Sequence, residues 1–228
     1  MWWHMATHVK LLEKTNKMVE HEKFVFLHLQ KCGGTFVGTF LYENVFGCKW
    51  NPYDKHRTLD VKPKDKFVFG VVRNPFDWYV SWYHSIRSYN PPYGDIMYPA
   101  TTMAKKCESF TEFMNQLYQN TGDLLDFNFD SCNEKKIGVY TFRYNNIFQN
   151  HLDFTCRFEN LNDDLIKCFN VNGFPFNEKQ IEQLRGYKRV NTSVHSHYSD
   201  YYDDKTEKLV RERDVLFINK YGYEFENN

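Results

Sequence analysis

The sequence predicts a single α/β domain with a mainly parallel central sheet flanked by helices. Three observations predict it. Residues 23–29 (Lys23-Phe24-Val25-Phe26-Leu27-His28-Leu29) and 66–72 (Lys66-Phe67-Val68-Phe69-Gly70-Val71-Val72) are short, apolar, β-branched and aromatic, the pattern of strands buried on both faces. Each run passes directly into turn chemistry and then into a helical pattern. Strands alternating with helices imply an α/β fold with a mainly parallel sheet. With 228 residues the chain is long enough for one well-packed core.

The elements follow in order. Residues 1–22 read as an N-terminal arm and 23–228 as the domain. After the first strand comes a glycine turn over 30–35, then a helix over 36–46. The second strand ends in Arg73-Asn74-Pro75, and Pro75 suits the first turn of a helix running to about Ser88. Residues 89–106 contain Pro91, Pro92, Gly94 and Pro99 and read as one long loop of the kind used as a lid. Ser109-Phe110-Thr111-Glu112 has the spacing of a capping box opening a helix to about Gln119. A third strand is expected over 153–158, a helix over 161–169, and one last helix from about Asp203 to Lys220, stopping near Gly222.

Composition bounds the function. Aromatics are 18% of the chain, with 21 Phe and 16 Tyr, so the core must be largely aromatic. Acids and bases balance at 29 each, and the pI is near 7.1, which argues against a partner such as nucleic acid or an anionic membrane surface. Any anion site is therefore local. Residues 49–73 carry seven bases and three acids, a net +4, although Lys62, Lys64 and Lys66 read as a solvated face. There is no basic-then-apolar leader and no apolar run near the ~20 residues that span a bilayer. The expectation is a soluble protein, cytoplasmic by default, or of the Golgi lumen if an anchor has been removed. Cysteines 32, 48, 107, 132, 156 and 168 contain no C-x-x-C pair, so free buried thiols are expected rather than a zinc site.

Chemistry concentrates at two strand ends. A strand, a Gly33-Gly34 turn and a helix form phosphate-binding geometry, because glycines let backbone N–H groups approach oxygens and the helix N-terminus adds positive potential. Lys31 supplies a charge and Thr35 a hydroxyl. The order differs from the nucleotide-hydrolase loop, in which Lys follows the last glycine. A turn that needs glycine only for its backbone angles would look the same. Arg73 lies just past the second strand, where open α/β sheets bind ligands, with Ser81 eight residues on. The pair suits a second phosphate, whereas a helix-flanking ion pair is the plainer use of Arg73.

These stretches carry a resemblance. Phe26-Leu27-His28-Leu29-Gln30-Lys31-Cys32-Gly33-Gly34-Thr35 resembles the 5′-phosphosulfate loop of the carbohydrate sulfotransferases, and Val72-Arg73-Asn74-Pro75-Phe76-Asp77 with Val80-Ser81 resembles their 3′-phosphate motif. Arg157-Phe158-Glu159-Asn160-Leu161 and Val190-Asn191-Thr192-Ser193 are similar to two further family segments, in the same order. The likeness runs from about Phe24 to Phe225. The family often has Pro at the position of Gln30, Ser at that of Phe36 and a basic residue at that of Trp78.

The resemblance implies a P-loop sulfotransferase fold. It also implies metal-free, in-line transfer of a sulfuryl group from 3′-phosphoadenosine 5′-phosphosulfate (PAPS) to a hydroxyl of a carbohydrate-like acceptor, with PAP as product. It assigns the 5′ end of the donor to Lys31, Cys32, Gly33, Gly34 and Thr35. Arg73 and Ser81 fall to the 3′-phosphate, with Asn191 and Ser193 added to the donor site. His56, in Lys55-His56-Arg57, is the candidate general base, with His195 and His197 as second choices. Two other readings stay open: a variant-loop kinase, and a catalytically silent nucleotide-binding protein of the same fold.

Overall fold

A computed structural model describes residues 19–50, 58–88, 99–119, 123–124, 127–188 and 195–227. Its sheet has the order β1-β2-β3-β6. Strand β1 is Val19–Glu20, β2 Phe24–Leu27, β3 Phe67–Val72 and β6 Phe154–Arg157. Strands β2, β3 and β6 are parallel, in a register that pairs Leu27 with Gly70 and Val72 with Arg157, and β1 joins antiparallel at one edge. The sheet thus reaches back into the segment expected to be an arm. Helices α1 (Gly34–Asn44) and α2 (Pro75–Ser88) follow β2 and β3 directly. This is the α/β architecture expected, with a mainly parallel sheet.

The core is aromatic for the compositional reason given above. Phe24, Phe26 and Phe69 on the sheet are buried, and Phe169 of α7 (Leu161–Val171) stands 5.0 Å from Phe24 and 5.5 Å from Phe69, ring edge to face. Edge-to-face contacts of this kind add to the large area each ring buries. All six cysteines are free; five are buried and Cys48 is half-buried. No helix among the described residues is long and apolar enough to cross a membrane.

Several expectations need correction. The second half of the proposed loop 89–106 is helix α3, Pro99–Lys106, while 89–98 lie outside the described residues. Pro99 starts that helix, where a missing N–H costs nothing. Helix α4 (Phe110–Leu117) does open on Ser109, whose side chain accepts from Glu112 N; the Glu112 carboxylate, however, accepts from Glu108 N, so the reciprocal half of the box is absent. The final helix is two helices, α9 (Asp204–Arg213) and α10 (Val215–Tyr221), broken at a fully buried Asp214. Lys62 and Lys66 are not simply solvated: they pair with Asp153 and Glu20.

Five elements give no clear signal in the sequence. They are the small hairpin β4 (Asp123–Leu124) and β5 (Phe127–Asn128), α5 (Phe129–Glu134), α6 (Val139–Phe148) and α8 (Glu178–Gly186). Of these, α6 bears on the site.

Candidate active site

Parallel strands deliver their carboxyl ends to one edge, and here three of them converge. The turn after β2 carries Lys31 to Thr35, the turn after β3 carries Arg73 and Asn74, and β6 ends in a 3₁₀ turn, Phe158–Asn160. Gly33 has φ 74° and caps α1 without any side-chain hydrogen bond, and no acid stands in the first turn of the helix. First-turn N–H groups have no acceptor within their own helix, so this terminus suits an anion. Gly34 is required by a close approach: a Cβ there would lie 1.8 Å from the ring of His28. His28 is thus a buried residue on which the loop rests, as its place in the strand suggests.

Lys31 itself is half-buried and has φ 60°, a left-handed conformation that residues with a Cβ rarely adopt. The surrounding contacts hold it there. Arg73 Nη1 donates to the Lys31 carbonyl at 3.0 Å. The indole Nε1 of Trp78 donates to the Gln30 carbonyl at 2.7 Å, and Arg143 Nη1 donates to the Gln30 side-chain oxygen. Gln30 and Trp78, two positions at which the chain departs from the family pattern, therefore meet each other. Cys32 Sγ lies 3.9 Å from the Tyr140 hydroxyl, and burial pushes the Cys32 thiol far up, so it stays protonated.

Arg73 is largely buried and engaged twice. Besides Lys31 it pairs through Nε with Asp77 at 2.7 Å, and its guanidinium lies 4.3 Å over the Phe158 ring. Nη2 makes no hydrogen bond among the described residues. The structure thus gives Arg73 the plainer ion pair and, at the same time, contact with the loop. Ser81 is buried on α2, one turn beyond Asp77 on the same face. The next turn is braced from β6: Glu159 accepts from Asn74 N at 2.6 Å and from the Tyr223 hydroxyl at 3.1 Å.

The histidines fall elsewhere. His195 stacks on His84 of α2 at 5.3 Å, and burial, then His195 and Arg87, push the His84 pKa down. The His197 Nδ1 serves the 3₁₀ turn Tyr198–Tyr201, where it accepts from Ser199 N. No described contact joins either one to the Lys31 loop. His56, Asn191 and Ser193 lie outside the described residues. Sequence reasoning missed Tyr140 and Arg143, for which the only signal was a helical stretch rich in aromatics between two assigned elements. Two surface grooves, around His21 and Phe46 and around Lys23 and Lys64, lie away from the loop near the opposite ends of the strands.

Comparison with known proteins bears on the family. A family model described as the sulfotransferase family matches residues 15–225. No curated protein matches the chain. Among solved structures, mouse sulfotransferase SULT7A1 complexed with PAP is similar over 90% of this chain and 90% of its own, with 13% identity and a TM-score of 0.49. A family match that spans nearly the whole chain makes it a member of the sulfotransferase family, enzymes that take their sulfuryl group from PAPS.

Proposed function

We propose that the chain transfers a sulfuryl group from PAPS to a hydroxyl of a carbohydrate-like acceptor, by in-line, metal-free displacement within a catalytic domain that takes in residues 23–228 and the edge strand Val19–Glu20. One observation carries the donor half of the reading: the lysine-glycine loop after β2 and Arg73 after β3 are in direct contact, 3.0 Å from Nη1 to the Lys31 carbonyl. In the reaction the acceptor oxygen forms a bond to sulfur as the bond from sulfur to the 5′-phosphate oxygen breaks. The acceptor proton goes to a base, and the departing phosphate gains negative charge. Lys31 stabilises that charge, aided by the N–H groups of Gly33, Gly34 and Thr35 and by the Thr35 hydroxyl; the Cys32 N–H, also assigned to the donor from the sequence, instead donates to the Leu29 carbonyl at 3.4 Å.

Arg73 and Ser81 hold the 3′-phosphate that separates PAPS from ATP-like donors, and Asn191 and Ser193 from the C-terminal segment belong to the donor site. Arg73 would use Nη2, since its other nitrogens are taken by Asp77 and Lys31. His56 is the base. In the +4 segment 49–73, Lys62 and Lys66 are offset by Asp153 and Glu20, and the remaining positive charge suits a local anionic donor or acceptor.

The test has two arms. Melting temperature is measured with PAP, ATP or buffer, and PAP alone should stabilise the protein by mass action. Labelled sulfate from PAPS is then followed into glycans, small alcohols and tyrosine peptides. Label in tyrosine peptides but in no glycan would refute the acceptor class. Stabilisation by ATP but not PAP would refute the donor.

A further inference from the structure

Helix α6 places Tyr140 and Arg143 three residues apart, hence on one face, and both reach the loop that carries Lys31. The Tyr140 hydroxyl accepts from Arg73 N at 2.9 Å and touches Cys32 Sγ. Arg143 is only 5% exposed. Its guanidinium lies 4.9 Å over the Trp82 ring and 5.7 Å over Trp78, and Nη1 donates to Gln30 Oε1. Trp78 in turn holds the Gln30 carbonyl. Gln30 is thus gripped at backbone and side chain by two different helices, immediately before the residue with φ 60°.

We propose that Arg143 is a positioning residue for the reaction, acting through Gln30 to hold Lys31 in its left-handed conformation and so aim its ammonium at the departing phosphate. The proposal rests on the donor reading above. Three physical points support it. A buried guanidinium is costly to desolvate, and an apolar side chain of similar volume would fill the same space without that cost. The two tryptophan faces hold its charge while Nη1 is directed at the Gln30 side-chain oxygen. A lysine in the left-handed region relaxes when its neighbours stop holding it, and small displacements of a charged group are expensive in rate.

The experiment is a double-mutant cycle on the full chain with Arg143→Met, Gln30→Ala and both together. Single-turnover transfer, PAP calorimetry, melting temperature and amide exchange of residues 31–36 are read in parallel. Each single variant should slow transfer about 10- to 100-fold and speed exchange of the loop amides, while exchange within β2 stays unchanged. Because Arg143 acts through Gln30, the double variant should be no slower than the slower single variant. Arg143→Lys, which keeps the charge but loses the fork, should restore only part of the rate.

Rate losses that multiply in the double variant would overturn the proposal. So would wild-type loop exchange in both folded single variants. If Arg143→Met does not fold, Gln30→Ala decides alone: wild-type rate and exchange there refute the proposal. If the wild-type protein transfers nothing, the donor reading fails, and loop exchange still decides whether Arg143 holds Lys31.

Discussion

Replacing Asp214 with asparagine should flatten one part of the protein's pH–stability curve. Asp214 is fully buried where α9 meets α10. Its Oδ1 accepts from Thr141 N at 2.8 Å and Thr141 Oγ1 at 2.6 Å, and Oδ2 accepts from the Tyr79 hydroxyl at 2.9 Å. Burial outweighs those bonds and pushes the carboxyl up to about 6, from an ordinary value of 3.8. A raised folded-state pKa means that the folded protein holds the proton more tightly than the unfolded chain. Its stabilising contribution is therefore complete below about pH 3.8 and is lost as pH rises through about 6.

A shift of this size corresponds to about 3 kcal/mol in full, of which about 2 kcal/mol falls between pH 4.5 and 7.5. For a chain of this length that is about 4 °C in melting temperature. The assay is urea unfolding of the wild type and Asp214→Asn at several pH values across that range. Asparagine keeps the shape of the side chain, and other titrating groups cancel in the difference. The stability of the wild type relative to the variant should fall by about 2 kcal/mol from the acid end to the neutral end. A difference that stays constant with pH, or rises, would refute the reasoning. Because Thr141 is the neighbour of Tyr140 on α6, the same comparison tests how firmly the loop's support is anchored.

Lys31→Ala should leave the fold intact and lower single-turnover transfer roughly 10²–10³-fold; near-normal turnover in the folded variant would remove Lys31 from the mechanism. Arg73→Ala should weaken PAP much more than adenosine 5′-phosphosulfate, which lacks the 3′-phosphate. Equal losses by calorimetry would leave Arg73 only its contacts with Asp77 and Lys31. His56→Ala should slow transfer strongly, remove the rise of activity with pH through the neutral range and spare PAP affinity. A pH profile that vanishes instead in His195→Ala or His197→Ala would reassign the base.

The sheet and its two loaded turns were legible because they rest on local signals. Apolar runs at 23–29 and 66–72 mark strands, Gly33-Gly34 marks a turn, and Pro75 marks a helix start; β2, β3 and α2 lie within a residue or two of where those signals put them. Motif order then supplied the family. The support of the site had no such signal. Whether Tyr140 and Arg143 reach Gln30 and Cys32 depends on how α6 packs beneath a loop more than a hundred residues earlier in sequence. The break of the last helix at Asp214 likewise depends on partners in α2 and α6. Strand periodicity and turn chemistry are written in neighbouring residues, so the sequence by itself determined the parallel sheet, the lysine-glycine loop and the family. The packing that twists Lys31 to φ 60° and pairs Arg73 with Asp77 beside it was decided only by the tertiary structure, because it joins groups whose proximity exists only once the helices are packed.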